Sequence, residues 1–197
     1  MTGSLSAEIA AHAARLIVED GMEYGPAKRR AALDLGVTGR SAALPGNNEV
    51  EDEVRAYISV FHADTQPAEL AALRDIAATW MERLAAFRPL LAGAVWRGTA
   101  TRLSDIHIEL YCDDSKAAEM ALLDRRIDYD VSRGESPRGR EVDVLNLFVP
   151  GPDPTRRVRI ALTVLDYDDL RGALRSDARG QPQRGDLAAL NALRAAA

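Results

Sequence analysis

The sequence predicts an α+β protein: a helical N-terminal segment, then a mixed β-sheet flanked by helices. Three observations carry this. Apolar residues recur at helical spacing as far as Phe87. From Asp105 the pattern becomes a strict polar/apolar alternation, the period of a half-buried strand. Three further apolar runs, at 127–131, 141–149 and 157–165, are bounded by turn-forming residues and read as strands. The expected organisation is a helical segment over 1–63 and a sheet domain with a helical tail over 64–197.

The first helix is predicted over "SAEIAAHAARLIVED", with Ser6 as N-cap, Ile9, Ala13, Leu16 and Ile17 on one face, and Gly21 as its stop. The second, "GPAKRRAALDLG", starts near Pro26 and ends at Gly36. Val37 to Asn48, rich in Gly, Ser and Asn, reads as a loop. In the third helix Val50, Val54, Tyr57, Ile58 and Phe61 form a stripe. The fourth runs from about Pro67 to Phe87 on a stripe of Leu70, Leu73, Ile76, Ala77, Trp80, Met81 and Leu84, and Pro89 ends it. These stripes need burial, against the sheet domain or against a second copy of the chain. After the strand at 105–111, "DDSKAAEMALLDRR" reads as a short helix capped by Asp114 or Ser115. The stretch "SRGESPRGR" reads as a turn-rich linker between strands. The tail carries a short helix near "DYDDLRGAL", a polar loop whose Arg175, Arg179 and Arg184 read as solvated, and a last helix from Asp186.

Composition narrows the function classes. The chain has 197 residues, enough to bury about 70% of the unfolded chain's surface. A net charge of -5 argues against a nucleic-acid-binding surface. The single cysteine, Cys112, excludes an intrachain disulfide and reads as core packing. No run of about 18 apolar residues predicts a membrane span, and no signal peptide is recognised at the start. The expected location is the cytoplasm.

The chemistry concentrates in "GAVWRGTATRLSDIHIEL", Gly93 to Leu110. A glycine turn, through its backbone N–H groups, approaches a phosphate closely. Along the following strand Asp105, His107 and Glu109 share one face, about 6–7 Å apart per step, while Ile106, Ile108 and Leu110 share the other. Two carboxylates and an imidazole on one face can approach a divalent ion; the alternative is an edge strand with its polar face in water.

This stretch resembles the signature of the polymerase-β-like nucleotidyltransferase superfamily: a Gly-Ser, an Arg-Gly a few residues on, then Ser-Asp-apolar-Asp-apolar on the next strand. Gly93, Arg97, Gly98, Ser104, Asp105, Ile106 and Ile108 match it without a gap. The likeness covers about residues 66–165 and extends to diverged, nucleotidyltransferase-like bacterial chains. It implies a mixed sheet, nucleotidyl transfer from a nucleoside triphosphate, a phosphate site at Gly93, Arg97, Gly98, Thr99 and Ser104, and a metal held by Asp105, His107 and Asp143, with Asp105, Glu109 and Asp143 catalytic. Asp128 and Asp130 are rivals of Asp143 for the third carboxylate.

Two departures stand out. Ala94 occupies the place of the phosphate-binding serine, and His107 that of the second metal-binding aspartate. Imidazole is a poor Mg²⁺ ligand and suits Mn²⁺, Zn²⁺ or Fe²⁺. Three readings follow: a transferase with altered metal use, one in which Glu109 replaces the missing carboxylate, or a nucleotide-binding or protein-interaction module that keeps the fold without the chemistry. Among other residues, Arg156, Arg157 and Arg159 read as anion holders or a solvated edge. Lys28, Arg29 and Arg30 read as a solvated helix face, Trp80 as core, and Trp96 as packing or a base-stacking surface.

Overall fold

The structure, a computed structural model, describes residues 4–37, 44–153 and 155–196. Among the described residues seven α-helices and a six-stranded mixed sheet make an α+β fold, with four of the helices ahead of the first strand. The chain divides into two compact units. One comprises residues up to Glu69 together with Thr99–Ser104, and the other comprises Leu70–Gly98 and everything from Asp105.

In the first unit, α1 (Leu5–Asp20), α2 (Tyr24–Asp34) and α3 (Asn47–Phe61) bury their stripes against one another. The alanines make this close: Ala10, Ala13 and Ala14 of α1 and Ala27 and Ala31 of α2 are almost wholly buried beside Val50 and Val54 of α3. Ser4, two residues earlier than expected, caps α1 by accepting the Ala7 N–H at 3.3 Å. Gly21 ends α1 in the left-handed conformation, at φ 68, and a Cβ there would lie 3.0 Å from both Cβ and O of Leu103. Two histidine–carboxylate pairs tie α1 to its neighbours, His12 to Asp34 at 3.1 Å and His62 to Glu19 at 3.0 Å. Residues 38–43 of the expected loop lie outside the described residues. Phe61 leaves the predicted stripe: it is exposed, at the end of α3.

The second unit takes most of α4 (Gln66–Arg83), whose Leu73, Ala77, Trp80 and Met81 are buried. The helix stops earlier than predicted. A 3-10 turn at Ala85–Phe87 and a left-handed Arg88 precede Pro89. The sheet then runs in the order β3 (Asp130–Glu135), β4 (Glu141–Pro150), β5 (Arg157–Asp166), β2 (Ile106–Cys112), β1 (Leu90–Ala92), β6 (Arg184–Gly185). The β2–β5 pair is parallel and the rest are antiparallel. The expected central strand is therefore central, with β5 on one side and β1 on the other. The strand expected at 127–131 forms instead at 130–135. Asn146 Nδ2 donates to the Asp130 carbonyl and to Ser132 Oγ, and the true turn is the shorter 136–140. Between β2 and β3 lies α6 (Ala117–Asp124), and α7 (Leu187–Ala195) ends the chain, capped by Asp186.

Register gives the sheet two unlike faces. Ile106, Ile108, Leu110, Leu145, Leu147, Ile160 and Leu162 point to one and are buried. His107, Glu109, Tyr111, Asn146, Ala161 and Thr163 point to the other, together with Arg184. At one end this second face is closed by Leu90, Tyr111, Leu165 and Ala173. No helix among the described residues is long and apolar enough to cross a membrane.

Candidate functional site

The polar face of β2 is built by alternation, and its neighbours decide what it can do. Asp105, just before β2, is held by Arg159 of β5. Arg159 Nε and Nη2 lie 2.8 and 2.7 Å from Asp105 Oδ2, with the Arg159 side chain 32% and the Asp105 side chain 23% exposed. Arg159 Nη1 also donates to Asn146 Oδ1 at 2.9 Å. Asn146 is buried, and its amide donates to Ser132 Oγ and to the carbonyls of Asp130 and Val144. The carboxylate thus ends a hydrogen-bonded chain across β2, β5, β4 and β3.

His107 sits between Ala92 of β1 and Ala161 of β5. Its ring packs on the glycine turn: a Cβ on Gly93, which has φ 70, would lie 3.1 Å from His107 Cδ2. The expected turn is itself a short helix, α5 (Gly93–Arg97), ended by Gly98 at φ 83. Gly93 therefore has a packing reason to be glycine as well as a conformational one. Arg74 of α4 braces α5 by donating to the carbonyls of Val95 and Trp96, and burial pushes its guanidinium pKa down. Trp96 is packing, not a base-stacking surface. It is buried, donates its indole N–H to the Pro182 carbonyl at 2.8 Å, and packs against Gly185.

Glu109 is the most engaged carboxylate. Arg184 reaches it with Nη2–Oε1 at 2.9 Å and Nε–Oε2 at 2.7 Å, and the buried Tyr111 hydroxyl donates to Oε2 at 2.5 Å. Burial, then the Glu109 charge, holds the Tyr111 phenol well above its ordinary range. Arg184 also donates to the Ala173 carbonyl at 3.2 Å. Its solvated reading is corrected: it is a tether between the tail and the sheet.

Asp143 does not join this group. Val144 stands opposite Thr163, and Thr163 opposite Glu109, so Asp143, one residue earlier, emerges on the other face. There it pairs with Arg133 at 2.8 Å and lies 4.0 Å from Lys116 Nζ. The expected Asp105–Asp143 metal pair is therefore corrected by strand parity. The rivals Asp128 and Asp130 are exposed. Thr99 and Ser104 belong to the first unit. Thr99 is buried, and Ser104 Oγ accepts the Thr101 N–H at 3.0 Å, closing a local turn. Cys112 is half-buried; burial and then Asp114, Asp113 and Asp166 push its thiol pKa up, away from nucleophile behaviour.

A divalent ion that bridges phosphates needs carboxylate oxygens converging from one face. Arg159 places a positive charge against Asp105, and Arg184 places one against Glu109. Asp143 lies behind the sheet. Among the described residues no three of His, Cys, Asp and Glu come together to hold a metal. In the sequence Arg156, Arg157 and Arg159 read as anion holders or a solvated edge; Arg159 holds an anion, the protein's own Asp105. Sequence reasoning missed Asn146 and misassigned Arg184 as solvated; alternation in "EVDVLNLFV" already sets Asn146 apart from Asp143 by parity. In comparisons with known proteins, no family model and no curated protein matches the chain.

Proposed function

We propose that this chain is a catalytically silent binding module on a nucleotidyltransferase-like core, rather than a nucleotidyltransferase. One observation carries the reading: the carboxylates that a transferase would offer to metal are neutralised by arginines of the same sheet, Asp105 by Arg159 and Glu109 by Arg184. A guanidinium supplies the positive charge that a metal would bring, and it does so without an open coordination position. The His107 ring against Gly93 supports the same reading, since the glycine turn is occupied from within.

The test is direct. The protein is incubated with each of the four ribonucleoside triphosphates, labelled at the α-phosphate, in Mg²⁺ or Mn²⁺, with small-molecule hydroxyl and amine acceptors and with the protein itself as acceptor. Calorimetry measures metal–nucleotide binding alongside. The expected result is no transfer and no metal-dependent increase in nucleotide affinity. Metal-dependent labelling of any acceptor, lost in Asp105→Asn, would overturn the reading and restore the transferase.

A further inference from the structure

A second polar hollow lies away from the β2 carboxylates, beside the turn that follows β5. Residues Tyr167–Leu170 form one 3-10 turn, whose cap Asp166 accepts the Asp168 N–H at 2.8 Å. The β3–β4 turn folds back to meet it. Arg138 Nη2 donates to the Asp168 carbonyl at 3.0 Å, and Arg138 Nε lies 3.0 Å from Asp169 Oδ1. Arg140 Nη2 donates to Asp169 Oδ2 at 2.8 Å. The Asp169 side chain is only 2% exposed, so two guanidiniums converge on one buried carboxylate.

Beside this cluster is a cavity of about 600 Å³ lined by Arg138, Tyr167, Asp168, Leu170 and Arg171. Small-molecule sites commonly span about 300–1,000 Å³. Arg138 is fixed by its carbonyl and carboxylate partners, yet its side chain remains 54% exposed. Arg171 is exposed and has no ion-pair partner among the described residues. Arg88 stacks on the Tyr167 ring, 4.3 Å from its centroid. Asp168 is the one acidic side chain in the lining.

We propose that this cavity binds a small molecule through an oxyanion, phosphate or carboxylate, gripped between the fixed Arg138 and the free Arg171. The planar fork of a guanidinium matches both oxyanions with two parallel N–H donors. One fixed arginine sets position, and one free arginine supplies charge without first breaking an internal ion pair. The cavity shares no residue with the β2 face, so its test and the transferase test fail separately.

Isothermal titration at constant ionic strength with inorganic phosphate, AMP and citrate tests the assignment on the full chain. Saturable binding of phosphate and AMP identifies a phosphoryl ligand; binding of citrate alone identifies a carboxylate one. In either case Arg171→Glu should weaken binding by about tenfold or more. Arg125→Glu, the same charge change on the exposed turn after α6, should leave it unchanged. Circular dichroism establishes that both variants are folded. The proposal is overturned if none of the three probes saturates, if Arg171→Glu binds as the parent does, or if both variants weaken binding equally.

Discussion

Removing the Glu109 carboxylate should unfasten the tail from the sheet at a cost that its contacts allow us to work out. The Tyr111 hydroxyl is fully buried and donates to Glu109 at 2.5 Å. Losing a charge-assisted bond and leaving the hydroxyl unsatisfied costs about 1.5–3 kcal/mol. Arg184 is 21% exposed and keeps the Ala173 carbonyl, so its share, discounted for solvent screening, is nearer 1 kcal/mol. Glu109→Ala should therefore destabilise by about 2.5–4 kcal/mol, and Glu109→Gln, which keeps the volume and an acceptor, by roughly half of that. In melting temperature the alanine change amounts to about 5–16 °C for a chain of this size. Urea denaturation followed by circular dichroism reads the cost. Trp96, hydrogen-bonded to Pro182 two residues before Arg184, reports on the tail by fluorescence. A cycle with Arg184→Met should give a coupling of about 1 kcal/mol. A Glu109→Ala protein that loses less than about 1 kcal/mol, against the 1.5–3 kcal/mol of the hydroxyl alone, would refute this reasoning. If Glu109→Gln kept full stability but lost binding of a divalent ion, Glu109 would be a ligand instead.

Gly93→Ala should destabilise by about 1–3 kcal/mol, from its left-handed backbone and from the His107 ring. Adding His107→Ala should recover only the steric part, as denaturation midpoints will show. Gly185→Ala, whose Cβ would fall 2.1 Å from Trp96, should displace the indole and shift its fluorescence to the red; an unmoved spectrum would contradict the packing. Alkali should unfold the protein through Tyr111. Burial, then Glu109, holds its pKa above the ordinary 10.0, so the folded state keeps a proton that the unfolded state releases. The contribution is complete below about pH 10 and is lost as pH rises beyond it. Tyr111→Phe should flatten that loss, measured as the urea midpoint against pH.

The parts of this molecule that the sequence made legible are those governed by local periodicity. The helices, the alternating strand at β2 and the runs that became β4 and β5 all follow from apolar spacing that needs no knowledge of partners. What depended on pairing was hidden. Asp143 and Asn146 lie three residues apart on one strand, and only the register with β5 decides which of them looks toward Asp105. Arg184 meets Glu109 from 75 positions away, so nothing nearby in the chain marked it as other than a loop arginine. The strands β1 and β6 are three and two residues long, too short for any period to appear. The strand β3 was displaced because "SRGE" carries turn residues. Gly134 tolerates the strand because Val144 Cγ2 occupies the space, 2.7 Å from where its Cβ would be.

The first unit returns for a second segment, and this orders events in time. Its α1–α3 core is complete in sequence by Phe61, but Thr99–Ser104 belongs to it as well. Gln66 Nε2 donates to the Ala100 carbonyl, Glu69 accepts the Arg102 N–H, and Leu103 lies against Gly21. Residues 70–98, which belong to the other unit, must be made before that segment exists. At about 5–20 residues per second, the interval between Glu69 and Ser104 is roughly 2–7 s of synthesis. For that time a nascent helical unit holds a face at Gly21 that Leu103, made later, will cover. A protease acting on ribosome-bound chains should therefore cut those halted with residue 98 just free of the exit tunnel more readily around α1 than those halted with Ser104 already free of it.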